Sequence, residues 1–273
     1  MPELPEVETI RRTLAGHVTG KRIIDIDLLW PGAVRGWQEH NFRDIVKGRQ
    51  IEEIERRAKY LLIRLDQGWT LIAHMRMTGR LLYFLQATPP ERHTHLIMTL
   101  DHGHLHFADQ RKFGRILAIP TKEIPIWPSL AILGPEPLAA EFTVDVLAER
   151  LTGKKTNLKA KLLDQTVLAG LGNIYADESM FRAGLLPERP ANSLTSEEMR
   201  RLHQAIQAVL RAGIESMGTS FRDYRDANGE KGSFQEFLQV YGRGDQPCRR
   251  CGQHLEKQKI AGRTTVFCRH CQH

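Results

Sequence analysis

Hydrophobic positions recur along the chain with two different periods, and the change of period divides it. Near the N-terminus Val7, Ile10 and Leu14 fall on one helical face, while Glu3, Glu6 and Glu8 supply the negative charge that a helix dipole favours in its first turns. This spacing predicts a helix over 3–17. Short apolar runs broken by turn residues follow, and they predict strands at 60–65, 69–74, 80–85, 95–100 and 104–108. The last two flank Asp101-His102-Gly103 and read as a hairpin. Several short strands with close turns indicate a β-sandwich or barrel. Prolines at 120, 125, 128, 135 and 137 then mark an interdomain boundary.

From 143 to 218 the period is helical. Thr195 and Glu198 fit a capping box, and Met199, Leu202, Ile206, Val209 and Leu210 follow at helical spacing. Residues 218–236, rich in Gly, Ser, Asp and Arg, read as a long, mobile loop; such a loop in a compact domain is usually functional or disordered. No internal repeat or low-complexity tract interrupts this order.

Composition narrows the class. The chain has 273 residues, 41% of them hydrophobic, enough for two domains and a small appendage around substantial cores. No run approaches the roughly 20 apolar residues that span a bilayer. The acidic opening, with Pro2, Glu3, Pro5, Glu6 and Glu8, is unlike a basic, apolar secretory signal, so a cytosolic location is expected. A net charge of +7 and a pI near 9.4 are compatible with a solvated basic surface, a nucleic-acid partner or an anionic lipid surface.

All four cysteines, Cys248, Cys251, Cys268 and Cys271, lie in the last 26 residues as two C-x2-C knuckles, the spacing of a zinc ribbon. Four thiolates would close the tetrahedron, so one structural Zn2+ is expected, against the plainer reading of four free thiols. His254, His270 and His273 are expected to be exposed rather than ligands. Between the knuckles Ala261-Gly262 reads as a hairpin turn with Arg263 just beyond it. Six Lys or Arg stand against one acid, Glu256, from residue 248 onward, which fits a DNA-contacting finger as well as a solvated tail.

Several motifs, in one order from residue 2 to residue 271, carry a family resemblance. They are Pro2-Glu3-Leu4-Pro5-Glu6-Val7-Glu8; Arg57-Ala58-Lys59-Tyr60-Leu61; His74, Met77 and Gly79; Asp109-Gln110-Arg111-Lys112-Phe113-Gly114; Leu133-Gly134-Pro135-Glu136-Pro137-Leu138; Leu163-Asp164-Gln165; Gly170-Leu171-Gly172-Asn173-Ile174-Tyr175; Val240-Tyr241-Gly242-Arg243; and the zinc knuckles. Together they resemble formamidopyrimidine-DNA glycosylases. The resemblance implies an α+β multidomain chain: a β-sandwich with an N-terminal helix over 1–132, a helical domain with a helix–two-turn–helix motif over 133–236, and a zinc finger over 237–273. It implies excision of oxidised purines from duplex DNA by a monomer, then strand cleavage, with no organic cofactor.

Roles follow from the same resemblance. Pro2, once Met1 is removed, is the nucleophile; an α-amine with a pKa of about 7.7–8.0 keeps a neutral fraction near neutrality that lysine, at about 10.4, does not. Glu3 protonates the sugar ring oxygen, Lys59 serves proton transfer and phosphate positioning, and Arg263 serves δ-elimination. Read without the family, Glu3 and Glu6 are first-turn helix stabilisers and Lys59 a strand-edge charge. Met77, Arg111 and Phe113 are implied as the wedge that replaces a flipped base, although Met77 and Phe113 alone read as core. His74, His93, Lys154, Lys155, Asn173 and Tyr241 are implied DNA contacts, with Asn173 read as the cap of a helix opening at Ile174. The 218–236 loop, with Thr219 and Ser220, resembles a lid over the flipped base. Alternatives are an endonuclease VIII-type glycosylase preferring oxidised pyrimidines, a zinc-ribbon DNA-binding protein without catalysis, and a zinc-finger protein of membrane surfaces.

Overall fold

The computed structural model describes residues 1–37, 41–153 and 156–273. The chain forms two compact units: Met1–Ala131 with Ser216–Ser233, and Ile132–Glu215 with Phe234–His273.

The first unit begins with helix α1 (Leu4–Val18), for which Glu3 is the N-cap, so the predicted helix is shifted by one residue. The strands follow: β1 (Ile23–Leu28), β2 (Val34–Arg35), a short helix α2 (Phe42–Val46), then β3 (Ile51–Arg57), β4 (Tyr60–Leu65), β5 (Trp69–His74), β6 (Gly79–Phe84), β7 (Thr94–Leu100), β8 (His104–Asp109) and β9 (Arg115–Pro120). Two sheets result, with strand orders β1-β7-β8-β6 and β2-β9-β5-β4-β3. The expected sandwich is therefore present. Val7, Ile10 and Leu14 of α1 share one buried core with Ile63 and Leu71 of one sheet and Leu81 and Phe107 of the other. The predicted strand 80–85 sits one residue earlier, because Gly79 pairs with Asp109 and Phe84 with His104, leaving Leu85 exposed. Glu8 ties α1 to β3 through Arg56 at 3.2 Å. Burial resists its charge, but Arg11, Arg12 and Arg56 hold its pKa near 2.

The proline-rich stretch contains a 3-10 helix (Thr121–Ile126) and α3 (Pro128–Ala131), where the first unit's N-terminal segment ends. The second unit carries α4 (Val144–Leu151), α5 (Leu158–Leu163), α6 (Asn173–Ala183) and α7 (Ser196–Glu215). The capping box at α7 is reciprocal: Thr195 N donates to Glu198 at 2.8 Å and Glu198 N to Thr195 Oγ1 at 3.3 Å. A terminal hairpin, β10 (Glu256–Ile260) with β11 (Arg263–Phe267), turns through Ala261 and Gly262, both at positive φ. Among the described residues no helix is long and apolar enough to cross a membrane.

The 218–236 loop, grouped by sequence order with the helical segments, packs over Ser216–Ser233 with the first unit. Hydrogen bonds to α1 are the reason, and they define much of the site described below.

Candidate functional site

In the first unit the start of α1 is buried. Pro2 and Glu3 lack solvent exposure, and Glu3 N donates to Glu6 Oε2 at 2.8 Å. The other oxygen of Glu6 accepts from Thr219 N at 2.7 Å. A single carboxylate thus joins the backbone at the head of α1 to the loop that carries Thr219 and Ser220. The approach is close enough to need glycine: at Gly218, with φ +81°, a Cβ would stand 2.9 Å from Glu6 Cγ. Ser220 Oγ spans the loop, donating to Tyr224 O at 3.1 Å and accepting from Gly232 N at 3.0 Å.

Lys59 lies in the β3–β4 turn after Ala58, whose φ of 53° reverses the chain, rather than at the start of β4. It is buried, which corrects the strand-edge reading. Its ammonium lies near enough to His74, at the end of β5, to act on its titration. Burial first, then the Arg76 and Lys59 cations, push the His74 pKa down to about 3. The ring is therefore neutral near pH 7. Nδ1 accepts from Arg76 N at 2.9 Å, so the proton resides on Nε2. Tyr60 meets the ring edge-on at 4.6 Å.

Met77, Arg111 and Phe113 come together at the surface. Arg111 Nη1 is 2.6 Å from Met77 Sδ, and its guanidinium lies 4.7 Å from the Phe113 ring centre. Met77 and Phe113 are 41% and 51% exposed, which excludes the core reading of both. Asp109, buried, holds this arrangement: its carboxylate accepts from Thr78 Oγ1, from Arg111 N at 3.2 Å, Phe113 N at 2.8 Å and Gly114 N at 2.6 Å. His93 meets the same turn through its backbone carbonyl, which accepts from Asp109 N at 3.0 Å.

In the second unit α5 and α6 are joined by two turns across 164–172. Gly172, not Asn173, is the N-cap, and Asn173 is the first helical residue. Its side-chain nitrogen donates to Thr264 O at 3.0 Å, while its Oδ1 is buried with no hydrogen-bond partner. Tyr241 N donates to Glu178 Oε1 at 2.8 Å, in a loop whose Gln239 and Val240 amides bond the same carboxylate. Burial raises the Glu178 pKa against those three donors. Arg263 opens β11 and is exposed. That strand is fastened by a buried ion pair: Lys159 Nζ is 2.7 Å from both Asp177 Oδ1 and Thr265 Oγ1. Burial lifts the Asp177 carboxyl to about 7, with Lys159 opposing it. Lys154 and Lys155 lie outside the described residues.

The sulfurs of Cys248, Cys251, Cys268 and Cys271 all lie within 4.8 Å of one another. Two of the separations, 3.5 and 4.0 Å, bracket the roughly 3.8 Å edge of a tetrahedron with Zn–S bonds of about 2.3 Å. The donor set therefore fits a metal. His254, His270 and His273 are exposed and outside it.

With this geometry in place, the comparisons with known proteins decide the family. The chain is 57% identical, over all of both chains, to the formamidopyrimidine-DNA glycosylase of Desulfitobacterium hafniense. It belongs to the formamidopyrimidine-DNA glycosylase family. The family's N-terminal domain matches residues 1–116, its H2TH domain 133–225, and the zinc finger found in FPG and IleRS 245–273. Among solved structures, a Lactococcus lactis FPG mutant complexed with Fapy-dG-containing DNA superposes with a TM-score of 0.93 at 39% identity, covering 99% of each chain. The Lactococcus lactis Fpg in complex with abasic-site DNA gives 0.92 at 38%, again over 99% of each.

Within this glycosylase family fold, the residues that sequence reading missed are organisers. Asp109, Glu178, Lys159 and Asp177 are buried charges that hold loops and strands. Asp109 had a signal, since an Asp opening a turn hydrogen-bonds the amides that follow it. For Glu178, Lys159 and Asp177, helical spacing carries no trace of partners 60 or more residues away in the case of Glu178 and Val240.

Proposed function

We propose that this chain is a base-excision repair enzyme that removes oxidised purines from duplex DNA as a monomer and then cuts the strand at the abasic site. The observation that carries the reading is Glu6, bonded through one oxygen to Glu3 N and through the other to Thr219 N. It ties the segment of the proposed nucleophile to the loop proposed to cover the lesion base. The exposed Met77–Arg111–Phe113 cluster is of the kind that fills a duplex when a base is flipped out.

In this reading Met1 is removed and the Pro2 nitrogen is free. Its lone pair forms the bond to C1′, the glycosidic bond breaks, and its electrons leave with the base, which is protonated. The attacking nitrogen gives up its own N–H proton to solvent, Glu3 gives a proton to the ring oxygen, the nitrogen lone pair expels that oxygen as the sugar opens, and the nitrogen becomes an iminium. That cation acidifies the C2′ proton. Loss of this proton expels the 3′ phosphate and leaves a conjugated iminium, and loss of the C4′ proton from it, with Arg263 on the phosphate, expels the 5′ phosphate. Lys59 serves the proton transfers and the phosphate. His74, His93, Asn173, Tyr241 and, outside the described residues, Lys154 and Lys155 hold the backbone. Thr219 and Ser220 face the lesion base. One Zn2+ held by the four cysteines supplies structural crosslinking of the finger and no chemistry.

Borohydride trapping tests the proposal. Wild-type protein should crosslink to an 8-oxoguanine duplex through Pro2, with Pro2→Gly greatly impaired and an N-terminally extended chain failing. A crosslink mapped to another residue refutes the nucleophile. Preference for thymine glycol would indicate an endonuclease VIII-type enzyme, and no trapping would indicate a binding protein.

A further inference from the structure

The loop over Ser216–Ser233 is fastened to α1 far beyond Glu6. Tyr224 Oη donates to Glu6 O at 3.3 Å, Ala227 N to Thr13 Oγ1 at 3.2 Å, and His17 Nε2 to Asn228 Oδ1 at 2.7 Å. Glu6, Thr13 and His17 are spaced by seven and four residues, which puts them on one stripe of the helix. Eleven residues of helix span about 16 Å, so the loop is pegged along most of α1 rather than at one point. The far pegs are supported from the sheet. Tyr83 of β6 donates its N–H to Ala227 O at 2.8 Å, and its ring stacks on His17 with centres 4.6 Å apart and planes 7° from parallel. Asp226 stiffens the pegged segment, its buried carboxylate accepting from Asn228 N at 2.9 Å and Glu230 N at 2.8 Å. Tyr224, Asp226 and Ala227 are buried, whereas Phe221 at the tip is 54% exposed.

We propose that Thr13, His17 and Tyr83 are positioning residues for base selection: by clamping 224–228 along α1 they set the height of the 220–223 tip above the helix that carries Pro2 and Glu3. The inference deepens the function proposed above and rests on it. These residues do not touch the reacting atoms. They act because the loop and the proposed nucleophile share one rigid helix, so slack in the pegs becomes misplacement of the loop over the base. Abasic DNA offers no base to read, and its cleavage does not require the clamp.

The experiment compares single-turnover cleavage of an 8-oxoguanine·cytosine duplex with that of a preformed abasic duplex. The Thr13→Val/His17→Ala double variant should lose about tenfold or more on the lesion duplex and less than about twofold on the abasic one. Thr13→Ser and His17→Gln, which keep the hydroxyl and the donor, should restore the lesion rate. Asn228→Ala removes the His17 bond from the exposed loop side and gives the same split if the double variant fails to fold. Equal losses on both duplexes, or no loss on either, overturn the clamp. Failure of wild-type protein on both duplexes overturns instead the enzyme reading beneath it.

Discussion

Asp109 offers the sharpest test of how the exposed Met77–Arg111–Phe113 cluster is held. Replacing it with Ala removes the acceptor for the amides of Phe113 and Gly114 and for the Thr78 hydroxyl, and one of two acceptors, beside Thr78 Oγ1, for the Arg111 amide. The Gly114 amide is buried at a 2.6 Å bond and loses its partner without access to water, at about 1–3 kcal/mol. The other two amides lie on an exposed turn, where water replaces part of a charge-assisted bond worth about 1.5–3 kcal/mol. The sum is roughly 3–5 kcal/mol, or a melting temperature lower by about 10 °C for a domain of this size. Asp109→Asn keeps one acceptor oxygen and should lose about half as much.

The functional loss should exceed the stability loss, because a slack turn no longer presents Arg111 and Phe113 together. Lesion excision is expected to fall by about a hundredfold or more. Leu71→Ala is the control: it removes a fully buried side chain of the same sandwich, at about 2–5 kcal/mol, without touching the turn. Calorimetry and single-turnover cleavage on both variants decide the matter. If Asp109→Ala melts with wild type, or if Leu71→Ala loses as much activity at equal stability, the reasoning is wrong.

Other consequences can be checked separately. Atomic absorption should find about one zinc per chain, and chelation should abolish duplex binding, because the finger's core of Phe181, Val240, Leu255, Val266, Cys248 and Cys268 is too small to hold alone; binding that survives metal removal contradicts this. His74 titrates near 3 when folded and near 6.5 when unfolded, so the unfolded chain takes up the extra proton and stability contributed by the neutral ring is lost as pH falls through that window. The stability difference between wild type and His74→Gln should shrink by roughly 2–3 kcal/mol from pH 7 to pH 4.5, and parallel curves would refute it. Glu178→Ala leaves the Gln239, Val240 and Tyr241 amides without their acceptor, and hydrogen exchange at those three should speed by about a hundredfold; unchanged protection would show that other groups hold that loop.

Much of the architecture was legible from periodicity. The strands at 60–65 and 69–74 appear at the predicted residues, and the α7 capping box and the Ala261-Gly262 turn form as their side chains and backbone preferences dictate. Errors fell where local pattern competes with distant partners. Asn173 was read as a cap because Asn suits that position, yet Gly172 takes it and Asn173 turns to Thr264 O. Lys59, which the resemblance implies in catalysis, reads from local pattern alone as an edge charge because a lone Lys beside an apolar run usually is one, yet it is buried close to His74. Met77 and Phe113 show the converse, apolar residues held in solvent by a turn that Asp109 organises.

By itself the sequence determined the element types, the paired-cysteine cluster and the basic character, because these depend on spacings of two to four residues and on composition. Only the tertiary structure decided which charges meet. Glu6 and Thr219 are 213 residues apart, and nothing in either neighbourhood encodes the other. Their bond exists because the core fixes α1, and the fixed helix then presents one stripe of acceptors and donors to whatever chain segment packs along it.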